Sequence, residues 1–253
     1  MEVKKFIEKI KNENVVVDLN EGLAKPHKEM LSLLQELCET NNTIAVKKDR
    51  QVGMSTLLLF FIAYKLLFDE NNINIAYIVT KLPNGRVIRR DFDGLFERIV
   101  KIFNLEKDVN YVINNREQII IQINGHVKIL TIISQHGLFD NLRGMHYDYV
   151  LCDEVDYWNL SDSHINMPIL EEKEDNNNDL NNVTRRNKKL LEAFKLSTDN
   201  IIFYGFHTIL EYLQGGFKED NYTDNFMIWL LNSNYVDKKY YFFNYPLGWV
   251  KLD

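Results

Sequence analysis

The sequence predicts an α/β domain with a mainly parallel central sheet flanked by helices. Short apolar runs typical of buried strands alternate with longer segments that carry apolar residues at helical spacing. The chain has 253 residues, of which 45% are hydrophobic and 12% aromatic, so a sizeable core can form. A polar turn containing glycine joins one of these strands to a long apolar helix, as in domains that bind ligands at strand ends.

The elements are predicted in the following order along the chain. Helices are expected at Glu2–Lys11, Pro26–Glu39, Ser55–Phe68 and Val87–Phe103. Strands are expected at Thr43–Lys48, Asn74–Thr80, Gln118–Ile123, Val127–Ile133, Tyr147–Cys152 and Asn200–Phe206. Asn124-Gly125 separates two of these strands and predicts a hairpin inserted in the sheet. The polar, Asn-rich segment Glu171–Lys189 is expected to be a flexible surface loop.

Composition narrows the classes of protein. The net charge of -6 argues against a surface that is basic throughout, so any nucleic-acid contact needs a local basic patch. One candidate patch surrounds a Pro-Asn-Gly turn and consists of Lys81, Arg86, Arg89 and Arg90; a solvated surface is the alternative reading of these four residues. The two cysteines, Cys38 and Cys152, stand in apolar runs and predict buried thiols. A charged amino terminus and the lack of a long apolar stretch predict a soluble, intracellular protein without membrane contact.

A phosphate-binding loop is predicted where KKDRQVGMST joins a strand to a helix. In the Walker A pattern G-x-x-x-x-G-K-[ST], Gly53 matches the second glycine and Ser55 the Mg²⁺-binding hydroxyl. Met54 stands in the position of the lysine, and Lys48 stands in that of the first glycine. Lys48 or Arg50 could therefore supply the positive charge. The alternative is an ordinary strand-to-helix turn followed by Ser/Thr capping.

An acidic pair follows the strand Tyr147–Cys152 and has the Walker B form. Asp153 would hold the hydration shell of Mg²⁺, and Glu154 would polarise the attacking water. The alternative is that both carboxylates cap the next segment, Val155–Leu160. Together, the loop and the acidic pair predict a P-loop NTPase of the type with an additional catalytic glutamate, which binds ATP and Mg²⁺.

These residues resemble the large terminase subunit of tailed phages, the motor that packages viral DNA. Arg50-Gln51-Val52-Gly53, followed by Ser55-Thr56, is similar to the family's R-Q-x-G-K-[ST]-T loop. Some terminases lack that lysine and carry one at the start of the loop, where Lys48 stands. The resemblance therefore implies a working loop with Lys48 as the displaced lysine. The implied nucleotide-binding residues are Lys48, Arg50, Gln51, Val52, Gly53, Met54, Ser55 and Thr56.

Two further stretches resemble the same family. Leu142–Asp148, running into Tyr149–Glu154, is similar to the block R-G-x-x-x-D-x-x-x-x-D-E. This similarity implies that Arg143 acts as a finger on the nucleotide of a neighbouring subunit; pairing with Asp148 or Asp140 is the alternative role. Leu23–Lys28 resembles the adenine-side motif, with Lys28 where the family has glutamine.

The resemblance implies an ATPase that moves double-stranded DNA into a procapsid. It also implies a homo-oligomeric ring, expected to be a pentamer, on the capsid portal, with a small terminase subunit and a nuclease domain as further partners. The expected location is the cytoplasm of the infected host and, transiently, the procapsid. The chain is expected to form one ATPase domain without the nuclease domain. Its expected parts are an adenine-side region (1–40), a P-loop core (41–215) that contains the flexible loop (171–189), and a carboxyl-terminal extension (216–253).

Two other functions compete with this one. Asp153–Asp156 reads DEVD, which is typical of a DExD-box helicase, although helicase loops keep the Walker lysine. A non-hydrolysing scaffold that lost catalysis with Met54 is the second alternative.

Overall fold

The computed structural model describes residues 1–13, 17–19, 22–26, 28–39, 43–48, 53–135, 145–155, 188, 191–192, 194–198, 200–206, 234, 237–241 and 249–251. For 17–19, 22–26, 28–29, 47–48, 203–206, 237–241 and 249–251 it describes the backbone alone. Apart from Lys188, the segment expected to be a flexible loop lies outside these residues.

The described part of the chain contains four helices of ten or more residues and eleven strands. The helices are α1 (Val3–Asn12), α2 (Lys28–Glu39), α3 (Met54–Phe68) and α4 (Leu82–Ile102). The strands are β1 (Val17–Leu19), β2 (Gly22–Pro26), β3 (Ile44–Lys48), β4 (Ile73–Val79), β5 (Asn110–Asn114), β6 (Gln118–Ile123), β7 (His126–Ser134), β8 (Tyr149–Cys152), β9 (Ile201–Phe206), β10 (Asp237–Tyr241) and β11 (Trp249–Lys251). No helix among the described residues is long and apolar enough to span a membrane.

The main sheet has eight strands in the order β10-β3-β9-β8-β4-β7-β6-β5. The pairs from β10 to β7 are parallel, and β6 and β5 add two antiparallel strands at one edge. A separate antiparallel sheet contains β1, β2 and β11. The predicted α/β domain with a mainly parallel sheet is confirmed.

The main sheet also contains a strand beyond residue 215, which is the predicted end of the P-loop core. Strand β10 pairs with β3 along its whole length, from Asp237 opposite Ile44 to Tyr241 opposite Lys48. The segment predicted as an extension therefore supplies one neighbour of the strand that leads into the predicted phosphate loop.

The predicted helix start at Pro26 is wrong. Pro26 is the last residue of β2 and pairs with Trp249, and α2 begins at Lys28. The residue before a proline is biased towards extended backbone, so Lys25 and Pro26 suit the end of a strand. The hairpin prediction is confirmed, because Asn124 and Gly125 have φ values of 50° and 81°, as a two-residue turn of this kind requires.

The Pro-Asn-Gly sequence does not form a free turn, because it lies in the first turn of α4. A proline is tolerated there because the first N–H groups of a helix have no intrahelical partner. Arg89 on this helix is only 6% exposed and donates to the side chain of Asn114 and the carbonyl oxygen of Asn115. It also pairs with Asp93. Arg89 therefore holds β5 against α4 and is not part of a basic patch.

Helix α3 is buried almost along its whole length, between the sheet and the other helices. Its side chains from Leu57 to Leu67 are all buried, as expected for a helix that is apolar on every face. Lys65 is the one charged residue in this buried stretch. Its ammonium group donates to the hydroxyl of Tyr149 at 2.7 Å and to the carbonyl oxygen of Cys38 at 3.2 Å. These contacts fix α3 against the start of β8.

Candidate nucleotide-binding site

The strand order brings the two predicted motifs to one edge of the sheet. Strand β3 leads towards α3, β8 leads into the acidic pair, and β9 lies between them. All three strands are parallel, so their carboxyl ends share the edge where ligands bind in open α/β sheets. One intervening strand separates β3 from β8 by about 10 Å, which is two strand spacings.

The register of the strands adds a vertical offset between the two motifs. Cys152 lies opposite Phe203, and Phe203 lies opposite Ala45. Because β3 continues to Lys48, it runs three residues further than β8. Asp153 and Glu154, which follow β8, are therefore level with the last residues of β3, on the other side of the intervening strand β9.

Gly53 precedes α3 with backbone angles of φ 75° and ψ 25°. A residue with a Cβ would be strained by about 1–2 kcal/mol in this left-handed conformation, so glycine suits the position. The first N–H groups of a helix lack intrahelical partners and attract anions. Gly53 is the N-cap, and the helix already contains Ser55 and Thr56. Ser55 and Thr56 therefore lie in the first turn of α3 and do not occupy its N-cap position.

Met54 is only 2% exposed and packs in the hydrophobic core. Met54, at the position of the Walker lysine, is therefore part of the hydrophobic core. Ser55 and Thr56, which follow it, are half-buried. Lys48 is the last residue of β3, with only its backbone described, and Arg50, Gln51 and Val52 lie outside the described residues.

Asp153 follows β8 directly and is only 7% exposed. Its N–H donates to the carbonyl oxygen of Ile78 at 2.9 Å, and its Oδ2 accepts a hydrogen bond from the hydroxyl of Tyr77 at 3.1 Å. Tyr149 and Leu151 belong to the core that contains α3, and side chains alternate along a strand. Asp153 continues their face, so its carboxylate lies on the side of the sheet where α3 begins.

Glu154 is half-buried and has φ of 47°, a left-handed conformation that is rare for a residue with a side chain. Such conformations cost about 1–3 kcal/mol and concentrate at active sites and ligand clamps. The backbone therefore leaves the extended conformation at Glu154, the residue predicted to act as the general base. In the alternative, both carboxylates cap Val155–Leu160, and beyond Val155 that segment lies outside the described residues.

The chemistry of these groups suits Mg²⁺ bound together with nucleotide phosphates. Mg²⁺ prefers oxygen ligands and is commonly held by one or two carboxylates, water and phosphate oxygens. Ser55 offers a hydroxyl near the start of α3, and Asp153 offers a carboxylate on the same side of the sheet. The proposed metal-binding residues therefore fit the metal.

Arg143 lies outside the described residues, so its predicted finger role stays a prediction. One of its two alternative partners, Asp148, is described. The Asp148 carboxylate accepts a hydrogen bond from the backbone N–H of Asn74 at 2.7 Å. Asp148 therefore has a structural function of its own at the start of β8. Asp140 lies outside the described residues.

Two other predicted regions are described only in part. Leu23–Pro26 of the adenine-side motif forms most of β2, and Lys28 begins α2; no side chain of this motif is described. Of the predicted basic patch, Lys81, Arg86 and Arg90 are exposed.

Sequence reasoning missed the contact between Tyr77 and Asp153. The apolar run around Tyr77 predicts a buried strand and gives its hydroxyl no function. The available signal is the residue type, because Tyr77 is the only residue with a polar side-chain group in the run Ile75–Val79.

No protein-family model and no curated protein sequence matches the chain. Solved structures do match. An ATPase-domain mutant of the large terminase of Thermus phage P74-26 aligns with a TM-score of 0.52 and 14% identity, covering 86% of this chain and 81% of that chain. The same phage domain in another structure gives a TM-score of 0.47 and 16% identity, covering 86% and 80%. The large terminase of a thermophilic bacteriophage in complex with ADP gives 0.45 and 13%, covering 87% of this chain and 45% of that chain. At these identities the likeness concerns the fold, and this chain has the fold of the ATPase domain of phage large terminases.

Proposed function

We propose that this chain hydrolyses ATP and uses the energy to move double-stranded DNA into a viral procapsid. The observation that carries the hydrolytic part is the shared sheet edge, where one intervening strand separates β3, which leads towards Gly53 and α3, from β8, which leads into Asp153 and Glu154. The terminase-like fold and the R-G-x-x-x-D block support the packaging part.

The triphosphate would bind at the amino end of α3, where backbone N–H groups favour an anion. Lys48 would supply the main positive charge, with Arg50 beside it, because the side chain of Met54 is committed to the core. Gln51, Val52, Gly53 and Thr56 would complete the phosphate loop. When bound, Mg²⁺ offsets the negative charge that develops on the phosphates during transfer.

Each acidic residue would have a separate function. Asp153 and the Ser55 hydroxyl would hold the hydrated Mg²⁺, which the burial of Asp153 on the α3 side of the sheet supports. Glu154 would orient the attacking water and accept its proton, as a positioned carboxylate can. The strained backbone at Glu154 is consistent with a side chain whose direction matters more than local stability.

Arg143 would act on the nucleotide of a neighbouring copy and so complete a homo-oligomeric ring, with five copies, on a capsid portal. The small terminase subunit and a nuclease domain would be further partners in the infected host's cytoplasm and on the procapsid. These features rest on the similarity of residues 142–154 to the terminase block and on the fold.

The test compares wild type with the variant Glu154→Gln. We expect ATP turnover, measured with the capsid partner present, to fall by roughly 10²–10⁴-fold because a general base contributes about that much. Nucleotide affinity, measured with a fluorescent ATP analogue, should stay within a few-fold of wild type. Glu97→Gln removes an exposed glutamate from α4 and should leave both values unchanged.

The competing functions give different results. A wild-type chain that shows no ATPase activity, even when assembled on its capsid partner, would support the scaffold. Strand separation without translocation on duplex DNA would support the helicase fragment.

A further inference from the structure

Tyr77 places a hydroxyl group in the middle of the otherwise apolar run Ile75–Val79. The residue is fully buried in β4, between Ile75 and Val79 on the same face. A buried hydroxyl is costly unless it is hydrogen-bonded, and phenylalanine would fill nearly the same volume without that cost. The hydroxyl group donates to Oδ2 of Asp153 over 3.1 Å, so its bond reaches the acidic pair.

The backbone and the side chain of Asp153 are both held by β4. Tyr77 lies opposite Leu151 in the parallel register, and Asp153 comes two residues later on the same face. The Asp153 N–H donates to the carbonyl oxygen of Ile78. The neighbouring strand thus fixes both the position of the residue and the rotation of its carboxylate.

The hydrogen bond from Tyr77 holds one oxygen of the Asp153 carboxylate. A carboxylate has two oxygens and about four sites that accept hydrogen bonds, so accepting a hydrogen bond is compatible with serving a metal. A donor that holds one oxygen restricts how the other can turn. Groups that hydrogen-bond to metal ligands in this way commonly change metal affinity or activity by about 10–100-fold when they are mutated.

We propose that Tyr77 is a positioning residue for the hydrated Mg²⁺ of the bound nucleotide, acting through the carboxylate of Asp153. This inference rests on the proposed function, because it assumes that Asp153 serves the metal. It adds a residue from β4, a strand that carries neither of the two predicted motifs.

The test measures the metal dependence of nucleotide binding in the whole chain, which needs neither a ring nor turnover. The affinity for a fluorescent ADP analogue is measured once with Mg²⁺ and once with EDTA. For wild type we expect tighter binding with Mg²⁺. For Tyr77→Phe we expect that gain to shrink by about 10-fold or more while the affinity in EDTA is unchanged.

Tyr64→Phe is the matched control. Tyr64 is also buried, and its hydroxyl donates to the carbonyl oxygen of Met1 at 2.8 Å, far along α3 from Gly53. Loss of this hydroxyl should leave the Mg²⁺ gain at the wild-type value. Thermal unfolding of both variants is recorded, and affinities are compared at a temperature where both are folded.

A double-mutant cycle shows whether Tyr77 acts through Asp153. Asp153→Asn should reduce the Mg²⁺ gain by itself, and adding Tyr77→Phe to it should change nothing further. A further loss in the double variant would overturn the proposal. A Mg²⁺ gain in Tyr77→Phe equal to that of the wild type would also overturn the proposal, but the proposed function would then stand. A wild-type chain without any Mg²⁺ gain would refute the metal role of Asp153 and the proposed function with it.

Discussion

The carboxylate of Asp148 accepts a hydrogen bond from the backbone N–H of Asn74 at 2.7 Å, and the Asp148 N–H donates to the Asn74 carbonyl oxygen at 2.8 Å. These bonds join β8 to β4 one residue before their parallel register begins. The carbonyl oxygen of Asp148 also accepts from the side chains of Thr198 and Asn200, just before β9. Asp148 therefore ties three strands together at the amino edge of the sheet.

Replacing Asp148 with alanine should lower the free energy of unfolding by about 1.5–3 kcal/mol, because a hydrogen bond to a charged group is lost. Thermal or urea unfolding measures the change. Asp148→Asn should cost less, since an amide oxygen can still accept from the Asn74 N–H. The amino edge lies opposite the nucleotide edge, so the folded variant should keep its nucleotide affinity. An unchanged unfolding free energy in Asp148→Ala would contradict the structural role of this bond.

Gly85 and Gly94 lie on the same helix and should respond oppositely to alanine. A Cβ at Gly85 would lie 2.9 Å from Cγ2 of Ile132 and 3.3 Å from Cγ2 of Val79. This overpacking costs about 1–3 kcal/mol and should outweigh the gain in helix propensity. At Gly94 the added Cβ would meet no atom within 4 Å apart from its chain neighbours and the backbone of its own helix, so alanine should stabilise α4 by up to about 1 kcal/mol.

Urea unfolding of the two glycine variants gives the comparison directly. Equal shifts of the same sign would show that α4 does not pack against β4 and β7 as closely as the structure has it. Nucleotide binding of the folded Gly94→Ala protein should match wild type.

Both cysteines are buried free thiols, as the sequence predicted. Burial raises the pKa of Cys38 from 9.0 to about 12, and it also raises the pKa of Cys152. Between these values the unfolded chain loses the proton first, so the free energy of unfolding should fall as pH rises above 9. One such group contributes up to about 1.4 kcal/mol per pH unit.

Urea unfolding at pH 8 and pH 10 measures this slope. Cys38→Ala should be less stable at pH 8 and should show a smaller fall towards pH 10. Neither thiol of the native protein should react with a thiol reagent at pH 8, whereas both should react in denaturant. Rapid reaction of the native protein would show that the thiols are accessible.

Local patterns were enough to predict the strands and helices around the site. Apolar runs marked β3, β4, β8 and β9, and nearly all of the described side chains of these strands are buried on both faces. Such runs are the direct signature of strands with two covered faces. Strand β10 could not be found in this way, because its sequence DKKYY shows neither a continuous apolar run nor a clear alternation. The exposed strand β5, with the sequence NYVIN, could not be predicted for the same reason.

Contacts between residues far apart in sequence were beyond these patterns. The order of the strands brings Tyr77 and Asp153 together. No spacing within the predicted phosphate loop or the acidic pair indicates this contact. The sheet of β1, β2 and β11 joins residues from opposite ends of the chain for the same reason. The left-handed backbone at Glu154 is also set by tertiary structure, because glutamate has no intrinsic preference for it.

The remaining prediction concerns the charge that replaces the Walker lysine. Lys48→Ala should reduce ATP turnover with the capsid partner by roughly 10²-fold or more, since a preorganised cation near the transferred phosphoryl group is lost. Lys81→Ala, which removes an exposed lysine, should have no such effect. Full turnover in Lys48→Ala would assign the function to Arg50, and Arg50→Ala would then abolish it.

Restoring a lysine at position 54 provides the sharpest version of this test. Met54 is 2% exposed in the core, so the ammonium group of Met54→Lys would have to be buried without a partner or would displace the start of α3. The variant should therefore lose stability by several kcal/mol, by roughly the cost of burying one ion, and should not rescue Lys48→Ala. An active Lys48→Ala/Met54→Lys double variant would show that the position can still face the phosphates, and the loop would then be an ordinary Walker A loop with one reversible substitution.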